Sequence, residues 1–259
     1  MKDYTLFITN DKYYETNNNT KFAYIHLASI TKFIVLLGFL DCIKKHNINY
    51  NDKIKKVFPK YKYNYTFLDI INHKTRIQND WTQPPSKLQT KYIASKNIYN
   101  YVLKMHDNNK LQDDFNYNNY TYNILAYTIY KLENIYIDQY LEMSILKNIK
   151  YKWIKKNNQP FASHSLLIHT STFKIFAENI WKILKITNLD FFWNRIHSIL
   201  YNNKKYYLLG HDGSGGQYLY YNIKLNSILF WLNYTHDETD RNIEQYSNLF
   251  VKMLTKYEF

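Results

Sequence analysis

The sequence predicts an α+β protein in which one antiparallel sheet is built from strands near both ends of the chain and is flanked by helices. Apolar and polar residues alternate from Tyr4 to Thr9, as in a half-buried strand. Near the other end, β-branched and aromatic runs at 206–209, 217–221 and 227–234 indicate three more strands. We expect one domain, 1–259, with a sheet subdomain of about 1–50 and 203–259 and an all-helical subdomain of about 51–202.

The first helix follows a predicted hairpin. The polar residues 10–20 indicate a turn, and a second short strand is expected near 22–24. The segment His26–Leu40, HLASITKFIVLLGFL, then predicts a buried helix that begins at Ser29, because its apolar residues are almost unbroken. We expect this helix to end near His46.

The middle of the chain is predicted to be helical apart from polar connections at 73–88, which contains Pro84-Pro85, and at 107–114. Capping residues support the first two of these helices: Asn51-Asp52 before 53–58, and Thr66 before 67–72. The remaining predicted helices are 94–105, a helix that starts after Tyr120, 137–146, 171–186, 190–201 and a terminal amphipathic helix at 241–256.

Ser29 and Lys32 lie one helical turn apart, so their side chains project from the same helix face. At the helix N-terminus the backbone N–H of Ser29 lacks an intrahelical partner and can bind a developing negative charge. Burial disfavours the ammonium form of a lysine, so Lys32 can take or share the proton of a neighbouring hydroxyl. The S-x-x-K spacing recurs at 144–147 and 171–174, so the motif alone does not select Ser29.

All glycines except Gly38 lie between Gly210 and Gly216, in the segment GHDGSGG. A two-residue hairpin turn needs fewer glycines than this. A backbone that approaches a ligand closely, or adopts positive φ, needs several. We therefore expect this strand end to contribute to a binding site.

Three motifs occur in the order Ser29-x-x-Lys32, Tyr117-x-Asn119 and His211-x-Gly213. This order resembles that of the serine beta-lactamase-like superfamily, in detail its class C branch, which includes penicillin-binding-protein-like esterases and D,D-peptidases. The segments TFLDIINHKT at 66–75 and GHDGSGGQYLYYN at 210–222 are similar to further segments of that family. The resemblance runs from about residue 22 to the C-terminus and implies a beta-lactamase/transpeptidase-like fold.

The resemblance implies an acyl-transfer role for three residues. Ser29 would attack an acyl carbonyl and form a covalent acyl-enzyme. Lys32 and Tyr117 would form the base system that activates Ser29 and later the hydrolytic water.

The resemblance also implies four binding residues. Asn119 would orient the lysine and bind the acyl side chain, and His211 would supply a donor or partial positive charge near the leaving group. Gly213 would let the strand edge approach the substrate. The backbone N–H of Ser214 would form the oxyanion hole together with that of Ser29.

Some positions depart from the family pattern. Lys74, Thr75 and Arg76 stand where Ser-Gly usually follows His-Thr, Asn118 replaces the common serine, and the chain is shorter than class C members. These departures alter the expected substrate pocket and leave the motif residues intact. We expect His73 to satisfy a buried backbone group, which is the usual role of a buried histidine.

The composition narrows the functional classes. A hydrophobic content of 46% excludes general disorder. No apolar run is long enough for a membrane span and the N-terminus has no signal-peptide pattern, so we expect a cytoplasmic protein. The net charge of +13 comes from lysines scattered among asparagines and tyrosines, so nucleic-acid binding is not favoured.

No cofactor or metal is expected from the sequence. Neither H-E-x-x-H nor paired C-x-x-C occurs, and His164 and His169 have no ligand-like spacing. The single cysteine, Cys42, lies on the buried helix and is interpreted as an inert packed thiol.

Three functional hypotheses remain at this point. The first is a serine hydrolase that acts on a small ester, amide or peptide through an acyl-serine. The second is a D,D-peptidase or beta-lactamase proper. The third is a catalytically inactive binding protein of the same fold, and fold alone does not choose between them. The sequence does not specify the oligomeric state.

Overall fold

The computed structural model describes residues 4–10, 12–17, 23–79, 86–108, 115–187, 189, 197–232 and 243–257. The strands of this part of the chain are β1 (Tyr4–Thr9), β2 (Lys12–Asn17), β3 (Tyr24–His26), β4 (Tyr151–Trp153), β5 (Lys155–Lys156), β6 (Gln159–Pro160), β7 (Leu166–His169), β8 (His197–Tyr201), β9 (Lys204–Asp212), β10 (Gln217–Asn222) and β11 (Ser227–Leu232). The helices are α1 (Ile30–Lys45), α2 (Phe67–Ile71), α3 (Lys87–Ala94), α4 (Ile98–Leu103), α5 (Tyr122–Glu133), α6 (Ile137–Glu142), α7 (Phe173–Leu184) and α8 (Ile243–Tyr257).

The chain divides into two units by its internal contacts. The sheet unit contains Met1–Phe33, Asn148–Lys152 and Leu167–Phe259, and the helical unit contains Ile34–Lys147 and Trp153–Leu166. The expected single catalytic domain with subdomain boundaries near residues 51 and 202 stays a prediction.

The main sheet of the sheet unit has the strand order β2-β1-β11-β10-β9-β8. Every neighbouring pair is antiparallel, and Tyr4 of β1 lies opposite Leu232 of β11. The N-terminal strand thus pairs with the last strand of the chain, as the sequence predicts. This pairing brings the first and last parts of the chain into one sheet.

Helices cover both faces of this sheet, which explains why β1, β10 and β11 are buried along their whole length. On one face, α8 packs Tyr246, Phe250 and Leu254 against Phe7 and Tyr220. On the other face, the Phe173 ring of α7 lies 5.4 Å from the Tyr4 ring and 4.4 Å from the Phe230 ring. Phe33 of α1 reaches the same face through Tyr221 at 6.0 Å.

The helical unit is built around α5, whose residues from Tyr122 to Ile129 are buried. α2, α4 and α6 all contact α5. Thr66 starts α2 as predicted: its hydroxyl accepts from the Asp69 N–H at 3.1 Å, and the Asp69 carboxylate accepts from the Thr66 N–H at 2.7 Å. This reciprocal pair satisfies two of the donors that a helix N-terminus leaves without partners.

The structure corrects several predicted elements. Residues 12–17 form strand β2 where a turn was predicted, and β3 occupies 24–26, later than the predicted 22–24.

The predicted helix at 190–201 is wrong for 197–201, which form strand β8, and 190–196 lie outside the described residues. The predicted helix at 53–58 is a single 3₁₀ turn, and helix 94–105 is replaced by α3 and α4. Short strands β4 to β7 interrupt the region predicted to be all-helical.

Asparagine supplies most of the left-handed backbone of this glycine-poor chain. Among the described non-glycine residues with positive φ, all but two are asparagines, the exceptions being Ala28 at 46° and His73 at 50°. Asparagine tolerates this conformation because its short polar side chain bonds locally, whereas alanine has no such compensation. Ala28 directly precedes Ser29, and His73 contacts Tyr117.

None of the helices in the described ranges combines the length and apolar character that crossing a bilayer requires.

Candidate active site

The first turn of α1 places the Ser29 and Lys32 side chains in direct contact. Lys32 Nζ donates to Ser29 Oγ at 3.2 Å. Their backbones are joined as well, because the Lys32 N–H donates to the Ser29 carbonyl at 3.0 Å. Lys32 is fully buried, whereas Ser29 is half-buried. The two predicted residues are therefore in contact, with Lys32 buried and Ser29 partly exposed.

The residue before the serine has a strained backbone. Ala28 has φ of 46°, a conformation that costs an L-residue with a Cβ roughly 1–3 kcal/mol. The strain occurs where β3 changes direction into α1: the Ile30 N–H donates to Leu27 O and the Thr31 N–H donates to Ala28 O, both at 3.0 Å. β3 itself is held by β7, with Ile25 opposite Ile168. Nothing in the sequence predicts this feature, because alanine is not a typical residue for positive φ.

The glycine-rich turn between β9 and β10 packs against that same backbone. A Cβ added to Gly213 would lie 3.0 Å from the Ala28 Cβ and 2.3 Å from Gln217 Oε1. Only glycine fits this close approach without displacing a neighbour. The turn therefore lies beside the residue that precedes Ser29, and Ser214 follows Gly213 directly in that turn.

Gln217 holds the turn in shape, a role that sequence reasoning missed. Its backbone carbonyl accepts from the Gly213 N–H at 2.7 Å, and its side-chain Oε1 accepts from the Gly215 N–H at 3.0 Å. Gln217 is buried and follows the GHDGSGG segment directly. A polar residue at the first position of a buried strand was the available signal.

His211 lies at the end of β9 and is fully buried. Its Nδ1 is 2.6 Å from the Asp212 carbonyl oxygen. Because a carbonyl oxygen only accepts, Nδ1 carries a proton, so in the neutral ring Nε2 is an acceptor and becomes a donor only in the imidazolium. Donation by Nε2 to a leaving group, as the resemblance implies, thus requires the protonated ring.

Tyr117 and Asn119 belong to the helical unit, in the segment that leads into α5. Both are half-buried, and the fully buried Asn118 between them organises the segment. Asn118 Oδ1 accepts from the N–H groups of Tyr120 at 2.8 Å and Thr121 at 3.3 Å, and its Nδ2 donates to Ile77 O at 2.9 Å. These bonds fix the backbone of the segment that directly precedes α5, whose first residue is Tyr122.

His73 supports the same segment from α2. Its Nδ1 accepts from the Asn118 N–H at 3.0 Å, and its ring lies 4.6 Å from the Tyr117 ring. The prediction that His73 satisfies a buried backbone group is thus confirmed. Like Ala28, His73 has positive φ, so the two described left-handed residues that are neither asparagine nor glycine both border motif residues.

A cavity of about 670 Å³ in the sheet unit contains none of the predicted site residues. It is lined by the end of α7 and the opposite end of β9 from His211, including Leu184, Tyr206 and Tyr221. Two of its lysines have aromatic partners: Lys185 lies over the Trp181 ring at 5.7 Å and Lys205 over the Tyr207 ring at 5.3 Å. We assign it no role in catalysis.

Solved structures resemble this chain over nearly its whole length. A protein described as a 6-aminohexanoate-dimer hydrolase from Bacillus anthracis aligns with a TM-score of 0.73 at 13% identity, covering 98% of this chain and 79% of that one. The chain has the beta-lactamase-like fold. A beta-lactamase-like protein from Bacteroides dorei aligns with a TM-score of 0.68 at 11% identity, over 98% of this chain and 92% of that one.

A third structure with the beta-lactamase-like fold is a D-amino acid amidase from Ochrobactrum anthropi in complex with D-phenylalanine. It has a TM-score of 0.67 and 10% identity, with 98% of this chain and 94% of that one covered. No protein-family model matches the sequence, and no curated protein matches it either. The predicted fold class and the predicted resemblance are confirmed at the level of the fold.

Proposed function

We propose that this chain is a serine hydrolase that cleaves a small amide or ester through an acyl-enzyme at Ser29. The observation that carries the proposal is the contact of 3.2 Å between Ser29 Oγ and Nζ of the fully buried Lys32. A lysine in an apolar environment favours its neutral form, which accepts a proton from a hydroxyl. Acylation needs a hydroxyl that can lose its proton as it attacks, and this pair provides it.

The chemistry proceeds in two steps. Ser29 Oγ forms a bond to the acyl carbon while its proton passes to the base system of Lys32 and Tyr117, and the C–N or C–O bond breaks as the leaving group takes up a proton. Water then attacks the acyl carbon, loses its proton to the same base system and releases the acid and the Ser29 hydroxyl. The assignment of Tyr117 to this base system follows from the resemblance and is part of the proposal.

The oxyanion of each tetrahedral intermediate would be bound by the backbone N–H groups of Ser29 and Ser214. The contact between Gly213 and Ala28 supports this assignment, because each of these residues directly precedes one of the two donors. Losing one oxyanion donor typically costs about 10²–10³ in rate. Asn119 and His211 would bind the acyl side and the leaving-group side of the substrate, respectively.

The structural neighbours favour an amide as the substrate. One is a D-amino acid amidase and another is a D-stereospecific amidohydrolase from Streptomyces. We propose a small amide, with an ester as the more reactive surrogate for assay, because esters carry better leaving groups. A small molecule or short peptide is the partner that this proposal requires.

The proposal is tested by intact mass after incubation with a fluorophosphonate and, separately, with a penicillin. With the fluorophosphonate, the wild type is expected to gain one adduct, Ser29→Ala none, and Lys32→Ala a strongly reduced amount. Ser144→Ala is the matched control, because Ser144 begins a second S-x-x-K in the same chain, and it is expected to label like the wild type.

The two probes also separate the competing functions. Labelling by the penicillin would favour a D,D-peptidase or beta-lactamase over a general amidase. Circular dichroism of each variant shows whether it is folded. A folded wild type that neither probe modifies would overturn the proposal and favour an inactive binding protein of the same fold.

A further inference from the structure

Three side chains with metal-binding chemistry meet in the helical unit. The Sγ of Cys42, the Nε2 of His46 and a carboxylate oxygen of Glu133 all lie within 4.8 Å of one another. His46 Nε2 is 2.9 Å from Glu133 Oε1, and Cys42 Sγ is 3.9 Å from the same oxygen. None of these residues takes part in the hydrolase chemistry proposed above.

Local structure fixes this arrangement. The His46 N–H donates to the Cys42 carbonyl at 3.3 Å, so α-helical geometry continues past Lys45 and puts the thiol and the imidazole on one face. Glu133 is the last residue of α5. The cluster therefore combines two ligands at i and i+4 on one helix with a third ligand from a neighbouring helix end.

Two of the three distances between donor atoms are close to those of a tetrahedral site, and the third, between Cys42 Sγ and His46 Nε2, is within 4.8 Å. Zinc binds sulfur at about 2.3 Å and nitrogen or oxygen at about 2.0–2.2 Å, so tetrahedral donors lie about 3.4–3.6 Å apart. The His46–Glu133 distance of 2.9 Å must open by about half an ångström, and the Cys42–Glu133 distance of 3.9 Å must close by less than that.

The charges around the cluster favour a cation. α1 and α5 both end here, and each helix C-terminus carries a partial negative charge of about half an electron. Glu133 therefore stands at the unfavourable end of its helix for a carboxylate. The nearby ammonium of Lys45 is neutralised by Asp41 at 2.7 Å and also donates to the Tyr140 hydroxyl at 2.7 Å.

The thiol is protonated in the protein without metal. Burial, followed by the negative charge of Glu133, raises the pKa of Cys42 to about 12. The Glu133 oxygen then accepts from both the thiol and the His46 Nε2–H. A bound dication would replace these two donors around the carboxylate.

We propose that Cys42, His46 and Glu133 form a zinc-binding site with its fourth position open to water. Thiolate, imidazole and carboxylate are the three ligand types that zinc takes from proteins. On binding, the thiol proton leaves to solvent, and the imidazole proton moves from Nε2 to Nδ1 so that Nε2 can bind the ion. One proton is thus released per ion. Entry is open from the His46 and Glu133 side, where the side chains are 35% and 25% exposed.

The test is a titration of chelator-treated, full-length protein with Co²⁺, a spectroscopic substitute for Zn²⁺. We expect one ion per chain, a thiolate-to-cobalt charge-transfer band in the near ultraviolet, and loss of that band when Zn²⁺ is added. Cys42→Ser should remove the band. His46→Gln and Glu133→Gln should each weaken zinc binding by more than ~100-fold, since even residues behind the ligands account for 10–100-fold.

Matched controls separate this site from adventitious binding. His106→Gln and Glu142→Gln remove an exposed histidine and an exposed glutamate elsewhere and should leave the titration unchanged. Thermal unfolding of every variant checks that it is folded, and free Zn²⁺ should raise the melting temperature of the wild type but not of Cys42→Ser. A folded wild type without the charge-transfer band, or a band that persists in Cys42→Ser, would overturn the proposal. Neither outcome depends on labelling of Ser29.

Discussion

Two S-x-x-K turns in this chain share their backbone geometry and differ in their surroundings. In each, the lysine N–H donates to the serine carbonyl, at 3.0 Å for Lys32 to Ser29 and at 3.1 Å for Lys147 to Ser144. Lys32 is fully buried and its Nζ contacts the serine hydroxyl, whereas Lys147 is exposed. Spacing alone therefore brings the two residues into one turn, and burial decides whether the amine can act as a base.

A third turn supports the same conclusion. Ser171 is exposed and its hydroxyl lies 2.8 Å from His169 Nδ1. Lys174 is also exposed, with its Nζ 5.2 Å from the centre of the Tyr13 ring. An ammonium over an aromatic face is stabilised as a cation, which opposes the role of a base.

Replacing each lysine by methionine should produce the largest difference between the first two turns. Lys32→Met removes the amine while keeping an apolar side chain of similar length, so we expect the fluorophosphonate labelling rate to fall by about 10²–10⁴. Lys147→Met should leave the rate unchanged. Intact-mass measurements on samples quenched at successive times give both rates.

Thermal unfolding distinguishes a base from a structural lysine. Burying a polar amine has a desolvation cost that an apolar side chain of similar length avoids. We therefore expect Lys32→Met to melt at the wild-type temperature or above it. A lower melting temperature with unchanged labelling would show that Lys32 has a packing role only.

Two of the three glycines in the β9–β10 turn, Gly213 and Gly215, should differ by a smaller factor when each is replaced by alanine. Gly213→Ala places a Cβ against both Ala28 and Gln217, which shifts the turn away from Ser29, and a displacement near 1 Å can cost about 10² in rate. In Gly215→Ala the atoms nearest the new Cβ all belong to the Gln217 side chain and none to Ala28, so labelling should change by less than about threefold. Equal labelling rates for the two variants would contradict a role for this turn at Ser29.

The strained residue before Ser29 should give the smallest effect, and it concerns stability. Ala28→Gly relieves the positive φ but makes the unfolded chain more flexible, so we expect stabilisation of up to about 1 kcal/mol. Ala126→Gly, in the middle of α5, should instead destabilise by about 1 kcal/mol. Urea unfolding measures both. Destabilisation of similar size in the two variants would show that Ala28 is not strained.

The sequence predicted those elements that have strong local signals. The unbroken apolar run predicted α1, the Thr66 cap predicted α2, and the aromatic strands near the C-terminus predicted β9 to β11. These patterns report burial directly, because a strand covered on both faces and a core helix need apolar residues at every inward position.

The missed strands lie at edges, where polar residues are tolerated. β2 and β8 are the two edge strands of the main sheet, so within the described residues one side of each pairs with no other strand, and burial leaves little apolar pattern in their sequences. The sequence does contain one signal for hairpins at these strands, the Asn-Asn pair. Asn202-Asn203, both with positive φ, join β8 to β9, and Asn157-Asn158 join β5 to β6 in the same way. Two residues with positive φ define the type I′ hairpin turn, which Asn-Asn provides in a chain with few glycines.

For the candidate site, the sequence predicted the motif residues but not what supports them. Ser29 and Lys32 were predicted from their spacing together with the resemblance, and Gly213 from the glycine-rich segment and the resemblance. The structure places Lys32 Nζ at Ser29 Oγ and Gly213 beside Ala28, all in one unit, and the catalytic roles stay predictions. The supporting hydrogen bonds of Gln217 are made within the turn to Gly213 and Gly215, and Asn118 also reaches the distant Ile77. Such contacts leave no periodic pattern from which to predict them.

The most direct test of the central claim is to find which serine reacts in the wild-type protein. After brief exposure to a fluorophosphonate, the protein is digested and the peptides that contain Ser29, Ser144 and Ser171 are compared by mass. We expect the adduct on Ser29 alone, because only its lysine is buried. Equal modification of the three serines, or modification of Ser144 or Ser171 instead, would show that burial of Lys32 does not activate Ser29.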